Sequence, residues 1–145
     1  MSFDGRTPFP EDLRIISAID NALEGVKPSD VLQAFPIYAR RIHLKRFLAH
    51  YELFRMVVDL PGDIVELGVY RGVSLMSWAN FLEIHCMGDR QRRVFGFDNF
   101  TGLPELAPED GRAQPSVGKI EGGYGAGASA LYTAIEIFDN DRFIP

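Results

Sequence analysis

The segment 62–104 has the pattern of two short strands joined by a helix. The apolar run 63–68 ends in Glu-Leu-Gly, and residues 73–86 have helical spacing. A second apolar run, 94–97, follows a basic turn and ends on Asp98. Parallel strands need a crossover of a dozen or more residues, which is usually a helix. The spacing therefore predicts a parallel strand–helix–strand unit in an α/β protein.

Length and composition allow one domain and argue against several classes of function. The 145 residues are 46% apolar and 24% charged, which is ordinary for a globular protein. The net charge of −5 argues against a nucleic-acid partner, because phosphate binding favours a basic surface. The single cysteine, Cys86, cannot form an internal disulfide and is interpreted as a core residue. With no membrane-length apolar run and no signal-peptide pattern, we expect a cytoplasmic protein without a membrane partner.

Helices are predicted throughout the region before the first strand. The first spans 10–25, and a short second one is capped by Ser29 or Asp30 and interrupted by Pro36. A longer helix spans about 38–59, and we expect its apolar stripe to pack on one face of the sheet.

The long helix also carries a group of charged and titratable side chains. The basic residues near its N-terminus are Arg40, Arg41, Lys45 and Arg46. They form either a solvated face or a site for an acidic substrate or partner. The three histidines are His43, His50 and His85. Because no Cys/His/Asp cluster has ligand spacing, we expect them at the surface or at helix ends, with no metal site.

The region after the second strand is predicted to be a long loop followed by a helix. The loop is either a mobile surface segment or a lid over a ligand, with the glycine-rich part 118–128 and Tyr124 at its tip. Ser129 is predicted to cap the last helix, which ends at 139–141. The final residues, 142–145, have the character of an approach to a third strand.

The glycine turn after the first strand predicts a ligand site. Gly68 lets the chain turn sharply, and Gly72 allows a ligand or another helix to come close. The helix that begins here directs unpaired N–H groups at the turn, which favours a carboxylate or phosphate, and Ser74 adds a hydroxyl. Asp98, at the end of the second strand, is placed to accept hydrogen bonds from two ribose hydroxyls.

Glu66 separates the candidate cofactors. A carboxylate two residues before Gly68 would lie where NAD, FAD or ATP places its phosphates. S-adenosylmethionine (SAM) has a sulfonium, an ammonium and a carboxylate but no phosphate, so the acid can face its cationic end. Tyr70 also occupies the position of the second glycine of a G-x-G-x-x-G motif. An α/β turn without a ligand remains the alternative.

Two blocks of sequence resemble the SAM-dependent methyltransferases of the macrocin O-methyltransferase type. They are GDIVELGVYRGVS at 62–74 and RVFGFDNFTGLP at 93–104, and their separation also matches. The resemblance implies a Rossmann-like class I methyltransferase fold that methylates a hydroxyl of a sugar or sugar-bearing small molecule. It divides the chain into an N-terminal helical cover, 1–60, and an incomplete SAM-binding domain, 61–145.

The resemblance also assigns site residues. Those expected around the methionine part of SAM are Glu66, Gly68, Gly72 and Ser74. Those expected on the nucleoside side are Asp98 at the ribose, with Asn99 and Phe100 beside the adenosine. Those expected to line the turn are Tyr70 and Arg71.

In that family the general base and the acidic metal ligands come later than this sequence extends. We therefore expect the N-terminal half of the fold, ending after the second strand and its following helix. A divalent metal such as magnesium belongs to a complete family member, with ligands outside this chain. An open parallel edge favours a homo-oligomer. The alternatives are a SAM-dependent O-methyltransferase and a nucleoside-binding module without transfer chemistry; a nicotinamide enzyme is disfavoured by Glu66.

Overall fold

A computed structural model describes residues 10–87, 89, 91–111, 113–114 and 119–142. The helices in these ranges are α1 (Pro10–Ala22), α2 (Pro28–Gln33), α3 (Phe35–Tyr38), α4 (Arg41–Arg55), α5 (Val73–His85) and α6 (Ser129–Arg142). The strands are β1 (Ile64–Leu67) and β2 (Val94–Phe97), and a 3₁₀ turn spans Pro108–Asp110. None of these helices combines the length and apolarity needed to cross a membrane.

The two strands form a parallel pair with α5 as the crossover, as the sequence predicts. Ile64 lies opposite Val94, and Leu67 lies opposite Phe97. The Gly68 N–H continues the ladder by donating to the Phe97 carbonyl at 2.9 Å. The carboxyl ends of both strands therefore meet at one edge, where the glycine turn and Asp98 come together.

One face of the sheet is covered by α4 and α5. Phe54 of α4 and Phe81 and Leu82 of α5 form the buried core, and Ile64 and Val94 pack against it. Side chains alternate along a strand, so every second residue of β1 and β2 points into this layer. The predicted packing of the long helix on the sheet is confirmed. Cys86 is half-buried and also packs against this core.

The other face of the sheet is apolar and open among the described residues. The exposed fractions are 59% for Val65, 80% for Leu67, 40% for Phe95 and 59% for Phe97. Parallel sheets are normally covered on both faces. In the described residues the two-stranded sheet is therefore covered by helices on one face, while its other face is exposed.

The N-terminal helices differ from the sequence prediction at their boundaries. Ser29 and Asp30 lie inside α2, whose N-cap is Lys27, so the predicted cap is wrong. Pro36 lies in the first turn of α3, where its missing N–H costs no helical hydrogen bond; it begins a helix and does not interrupt one. The long helix starts at Arg41 because Arg40 has an extended backbone, and it ends at Arg55.

The C-terminal helix also corrects the prediction. Ser129 is the first residue of α6, and its carbonyl accepts the Thr133 hydroxyl. The helix continues through 139–141 to Arg142, so the predicted stop is wrong. The predicted strand approach, 142–145, is wrong at Arg142, which is the last residue of α6; 143–145 lie outside the described residues.

Candidate functional site

Asp98 joins the ends of the two strands. Its Oδ2 accepts the Tyr70 N–H at 2.7 Å, and its Oδ1 accepts the Phe100 N–H at 2.6 Å. The bond from the Tyr70 N–H is the main cause of a lowered pKa for Asp98, since it favours the charged form. Backbone N–H groups of Val69 and Asn99 lower it further. Asp98 is therefore an anion that backbone donors hold beside the glycine turn.

Glu66 connects β1 to α5. Its Oε1 accepts the Ser74 hydroxyl at 2.6 Å, and its Oε2 accepts the Trp78 indole N–H at 2.9 Å. The residues predicted as cofactor contacts, Glu66 and Ser74, are thus brought together, and Trp78 is an additional partner. The sequence predicts only a packing role for Trp78, because a tryptophan on a helix face carries no signal for its N–H partner.

The glycine turn has a left-handed backbone at three positions. The φ angles are +85° at Gly68 and +82° at Gly72, and Tyr70, a residue with a side chain, has a φ of +53°. A Cβ at Gly72 would lie 2.3 Å from Cδ1 of Leu131 in α6. The sequence left open what approaches Gly72, and the structure places a helix there.

A small cavity opens beside this turn. Its volume is about 140 Å³, below the roughly 300–1,000 Å³ of small-molecule sites, so it has room for only one part of a nucleoside cofactor. The predicted residues that line it are Gly68, Tyr70, Arg71 and Ser74. The other lining residues are Val69, Val73, Arg46 and His50. Glu66, Gly72, Asp98, Asn99 and Phe100 lie outside this lining.

His50 of α4 is a cavity residue that sequence reasoning missed, and Arg46 is the member of the basic group that reaches the cavity. Their spacing of four residues places them on one side of the helix, which is the only signal in the sequence. His50 is half-buried and packs against Trp78, with ring centroids 5.0 Å apart and ring planes tilted by 46°, so its predicted surface position is wrong. Burial lowers the pKa of His50, Arg46 lowers it further, and Glu66 opposes both.

Asn99 and Phe100 shape the turn after β2. The Asn99 side-chain oxygen accepts the N–H groups of Thr101 and Gly102, and its amide donates to the Gly102 carbonyl. Phe100 is half-buried with a φ of +57°. Asn99 thus stabilises the turn through both ends of its amide, a role that the spacing does not indicate.

The glycine-rich loop is hydrogen-bonded to that turn. Leu103 donates to the Gly123 carbonyl at 2.8 Å and accepts from the Gly122 N–H at 2.9 Å. A Cβ at Gly102 would lie 2.5 Å from the Gly122 carbonyl oxygen, so the backbones meet closely. This packing places Tyr124 edge-on to Tyr70, with centroids 5.9 Å apart.

A larger recess, of about 480 Å³, lies at the opposite end of the sheet. It is lined partly by Asp63, Asp89 and Arg92. The Arg92 guanidinium donates to the carbonyls of Gly62 and Val58, and so it supports the loop before β1. The recess lies away from the carboxyl ends of the strands, where α/β sheets bind ligands, so the smaller cavity is the better candidate.

The side chains that could bind a metal ion do not form a cluster in the described part of the chain. No set of three or more His, Cys, Asp or Glu side chains is placed there to hold an ion. Glu105, Glu109 and Asp110, in the loop after β2, are exposed.

The fold matches part of a solved methyltransferase structure. The calicheamicin methyltransferase CalS11 superposes with a TM-score of 0.76 at 25% identity, over 92% of this chain and 52% of that one. An apo structure of CalS11, described as a TDP-rhamnose 3'-O-methyltransferase of calicheamicin biosynthesis, gives 0.68 at 25% identity over 94% and 52%. The chain thus spans about half the length of these solved relatives.

The chain belongs to the macrocin O-methyltransferase (TylF) family. The family profile matches residues 39–119, more than half of the chain. A tetracenomycin 4'-O-methyltransferase of Streptomyces olivaceus, which acts on a dimethoxy-rhamnosyl derivative, is 44% identical over 34% of this chain and 18% of that enzyme. Demethyldecarbamoylnovobiocin O-methyltransferase of Streptomyces niveus is 40% identical over 38% and 20%. The resemblance read from the two sequence blocks is confirmed.

Proposed function

We propose that the chain binds SAM and forms the cofactor-binding part of an O-methyltransferase. The observation that carries the proposal is Asp98, fixed by the Tyr70 N–H at the edge where both strands end. A carboxylate there is the usual partner of ribose hydroxyls in α/β nucleoside sites. Family membership supports SAM as the nucleoside.

The predicted residues divide into three roles in this proposal. Asp98 would hold the ribose, with Asn99 and Phe100 beside the adenosine. Gly68, Gly72 and Ser74 would receive the methionine part at the start of α5, where unpaired N–H groups favour an anion. Tyr70 and Arg71 would line the turn. Glu66 retains acceptor positions beyond its two intramolecular bonds and would face the cationic end of SAM.

The proposed methyl acceptor is a hydroxyl of a sugar or a sugar-bearing small molecule. Two relatives are named for reactions on rhamnose or a rhamnosyl group. When bound, SAM supplies an electrophilic methyl group, and the acceptor hydroxyl loses its proton. The described residues do not assemble ligands for the magnesium ion that the family resemblance implies, so no step is assigned to a metal.

A second candidate is a nucleoside-binding module without transfer chemistry. It needs only the Asp98 carboxylate and the glycine turn, which the structure brings together. Both candidates require the same SAM pocket. They differ in whether this chain transfers a methyl group to glycoside acceptors.

Calorimetric titration with S-adenosylhomocysteine tests the pocket. We expect the parent chain to bind and Asp98→Ala to bind at least tenfold more weakly, about 1.4 kcal/mol. Asp63→Ala is the matched control, because Asp63 also joins the strands, accepting the Arg93 N–H at 2.8 Å, but at the opposite end of the sheet. Absence of binding by the folded parent, or equal losses in both variants, would contradict the proposal.

A further inference from the structure

We propose that Arg46 binds the carboxylate of the amino-acid end of the cofactor, which makes α4 part of the cofactor site. This inference rests on the proposed binding of SAM. It goes beyond it by assigning a cation of the N-terminal helical cover to one chemical group of the ligand. It also predicts how the site distinguishes nucleosides with and without an amino acid.

The position of Arg46 separates it from the other cations of the helix start. Arg46 is half-buried and lines the cavity with Gly68 and Ser74, whereas Arg41 and Lys45 are exposed and lie outside the lining. Arg41 and Lys45 are four residues apart and share a different side of α4. The two interpretations of the basic group therefore apply to different members: a solvated face for Arg41 and Lys45, and an anion site for Arg46.

The charge of Arg46 is available to a ligand. Among the described residues no carboxylate lies within ion-pair distance of its guanidinium; the ion pair found there joins Arg55 and Glu52. Arg71, the other cation of the cavity, lies over the Tyr70 ring at 5.5 Å. A guanidinium can bind a carboxylate through two parallel hydrogen bonds, which an ammonium cannot do.

His50 supplies an independent indication of a polar ligand. Its Nδ1 is buried and makes no hydrogen bond within the described chain, although the ring lines the cavity. Buried polar atoms are nearly always hydrogen-bonded in folded proteins. His50 therefore places an unsatisfied polar group at the edge of the cavity, next to Arg46, although Nδ1 itself is buried and a ligand would reach it only after the ring shifts.

The cavity also has the charge arrangement that a zwitterion requires. Arg46 and the first turn of α5 supply positive potential. The negative group is Glu66, which lies outside the lining but accepts a hydrogen bond from Ser74, a lining residue. The volume of about 140 Å³ suits an amino-acid end and excludes a whole nucleoside. The ribose partner, Asp98, lies outside the cavity but is bonded to Tyr70, which lines it.

The test compares two nucleosides that differ by the amino-acid end. S-adenosylhomocysteine carries it, and 5'-methylthioadenosine does not. We expect Arg46→Gln to weaken binding of the first at least tenfold and to change binding of the second by less than twofold. Lys45→Gln, one residue away and exposed, should change neither. Arg46→Lys, which keeps the charge without the paired donors, should lie between Arg46→Gln and the parent.

Three outcomes would overturn the inference. They are unchanged S-adenosylhomocysteine affinity in Arg46→Gln, equal weakening of both nucleosides, and no preference of the parent for the amino-acid form. In the first and second cases the proposed function survives if Asp98→Ala still weakens binding of S-adenosylhomocysteine at least tenfold. A parent that binds neither nucleoside would overturn both. Circular dichroism of each variant verifies that it is folded.

Discussion

The indole N–H of Trp78 donates to Glu66 across the interface between α5 and β1, at 2.9 Å. The Ser74 hydroxyl reaches the other carboxylate oxygen at 2.6 Å. The acid that the sequence assigns to the cofactor is therefore also a structural link between a strand and the helix that follows it. The two roles are compatible because each oxygen can accept more than one hydrogen bond.

Replacing Trp78 by Phe should destabilise the fold by about 1–2 kcal/mol, because it removes a donor to a half-buried carboxylate while keeping most of the ring. Urea denaturation measures the change. Tyr132→Phe is the control: it removes a polar group from an exposed aromatic ring of α6 and should cost less than about 0.5 kcal/mol. A double-mutant cycle with Glu66→Gln should show coupling of about 0.5–3 kcal/mol; additive losses would show that the bond contributes nothing.

Gly72→Ala should destabilise the chain by more than Gly25→Ala. Both residues have a positive φ, +82° and +76°, so both variants carry backbone strain of about 1–2 kcal/mol. Only Gly72 would also place a Cβ against Leu131, which adds about 1–3 kcal/mol of overpacking. In a Leu131→Ala background the cost of Gly72→Ala should fall to that of Gly25→Ala. An unchanged cost would mean that α6 does not pack on the turn.

The imidazole of His50 should titrate below its ordinary pKa of 6.5, because burial disfavours its charged form. NMR titration measures the midpoint. Arg46→Gln should raise this pKa and Glu66→Gln should lower it, since the two charges act in opposite directions. Because the folded protein binds a proton at His50 less readily than the unfolded chain, the free energy of unfolding should decrease as the pH falls from 6.5 through the folded-state pKa. A midpoint above 6.5 would contradict the described burial.

Asp98 should stabilise the fold in a pH-dependent way. Its pKa is lowered from 3.8, chiefly by the Tyr70 N–H, so its contribution is complete above pH 3.8 and disappears as the pH falls through the folded-state value. Asp98→Asn should therefore be less stable than the parent at pH 7. The difference should shrink below pH 3.8 in thermal melts. A difference that stays constant with pH would show that the two N–H groups do not favour the charged form.

The open apolar face of the sheet should promote self-association of the 145-residue chain. Leu67 and Phe97 are 80% and 59% exposed there, side by side on adjacent strands. Sedimentation velocity should detect oligomers of the parent, and Phe97→Lys should reduce their fraction. Ile37→Lys, which changes an equally apolar residue of α3 that is 79% exposed, is the control. A monomeric parent would show this expectation to be wrong.

The local sequence pattern was sufficient to predict the strand–helix–strand unit of β1, α5 and β2. The bounds of α5 and of both strands agree with the sequence prediction within one residue, because apolar runs and helical spacing are properties of neighbouring residues. The N-terminal helices were predicted less well. Proline and capping residues are compatible with more than one first residue of a helix. The second helix has Lys27 as its N-cap, where the pattern favoured Ser29 or Asp30, and Pro36 lies in the first turn of a helix, where the pattern predicted an interruption.

By itself, the sequence determined the parallel strand–helix–strand unit, the family, and the acids Glu66 and Asp98 at the strand ends. Only the tertiary structure decided which distant groups meet them. Arg46 and His50 reach the cavity because Phe54 and Phe81 pack α4 against α5, and Leu131 reaches Gly72 because α6 returns to the turn. Such contacts depend on burial between segments far apart in the chain, and no local spacing encodes them.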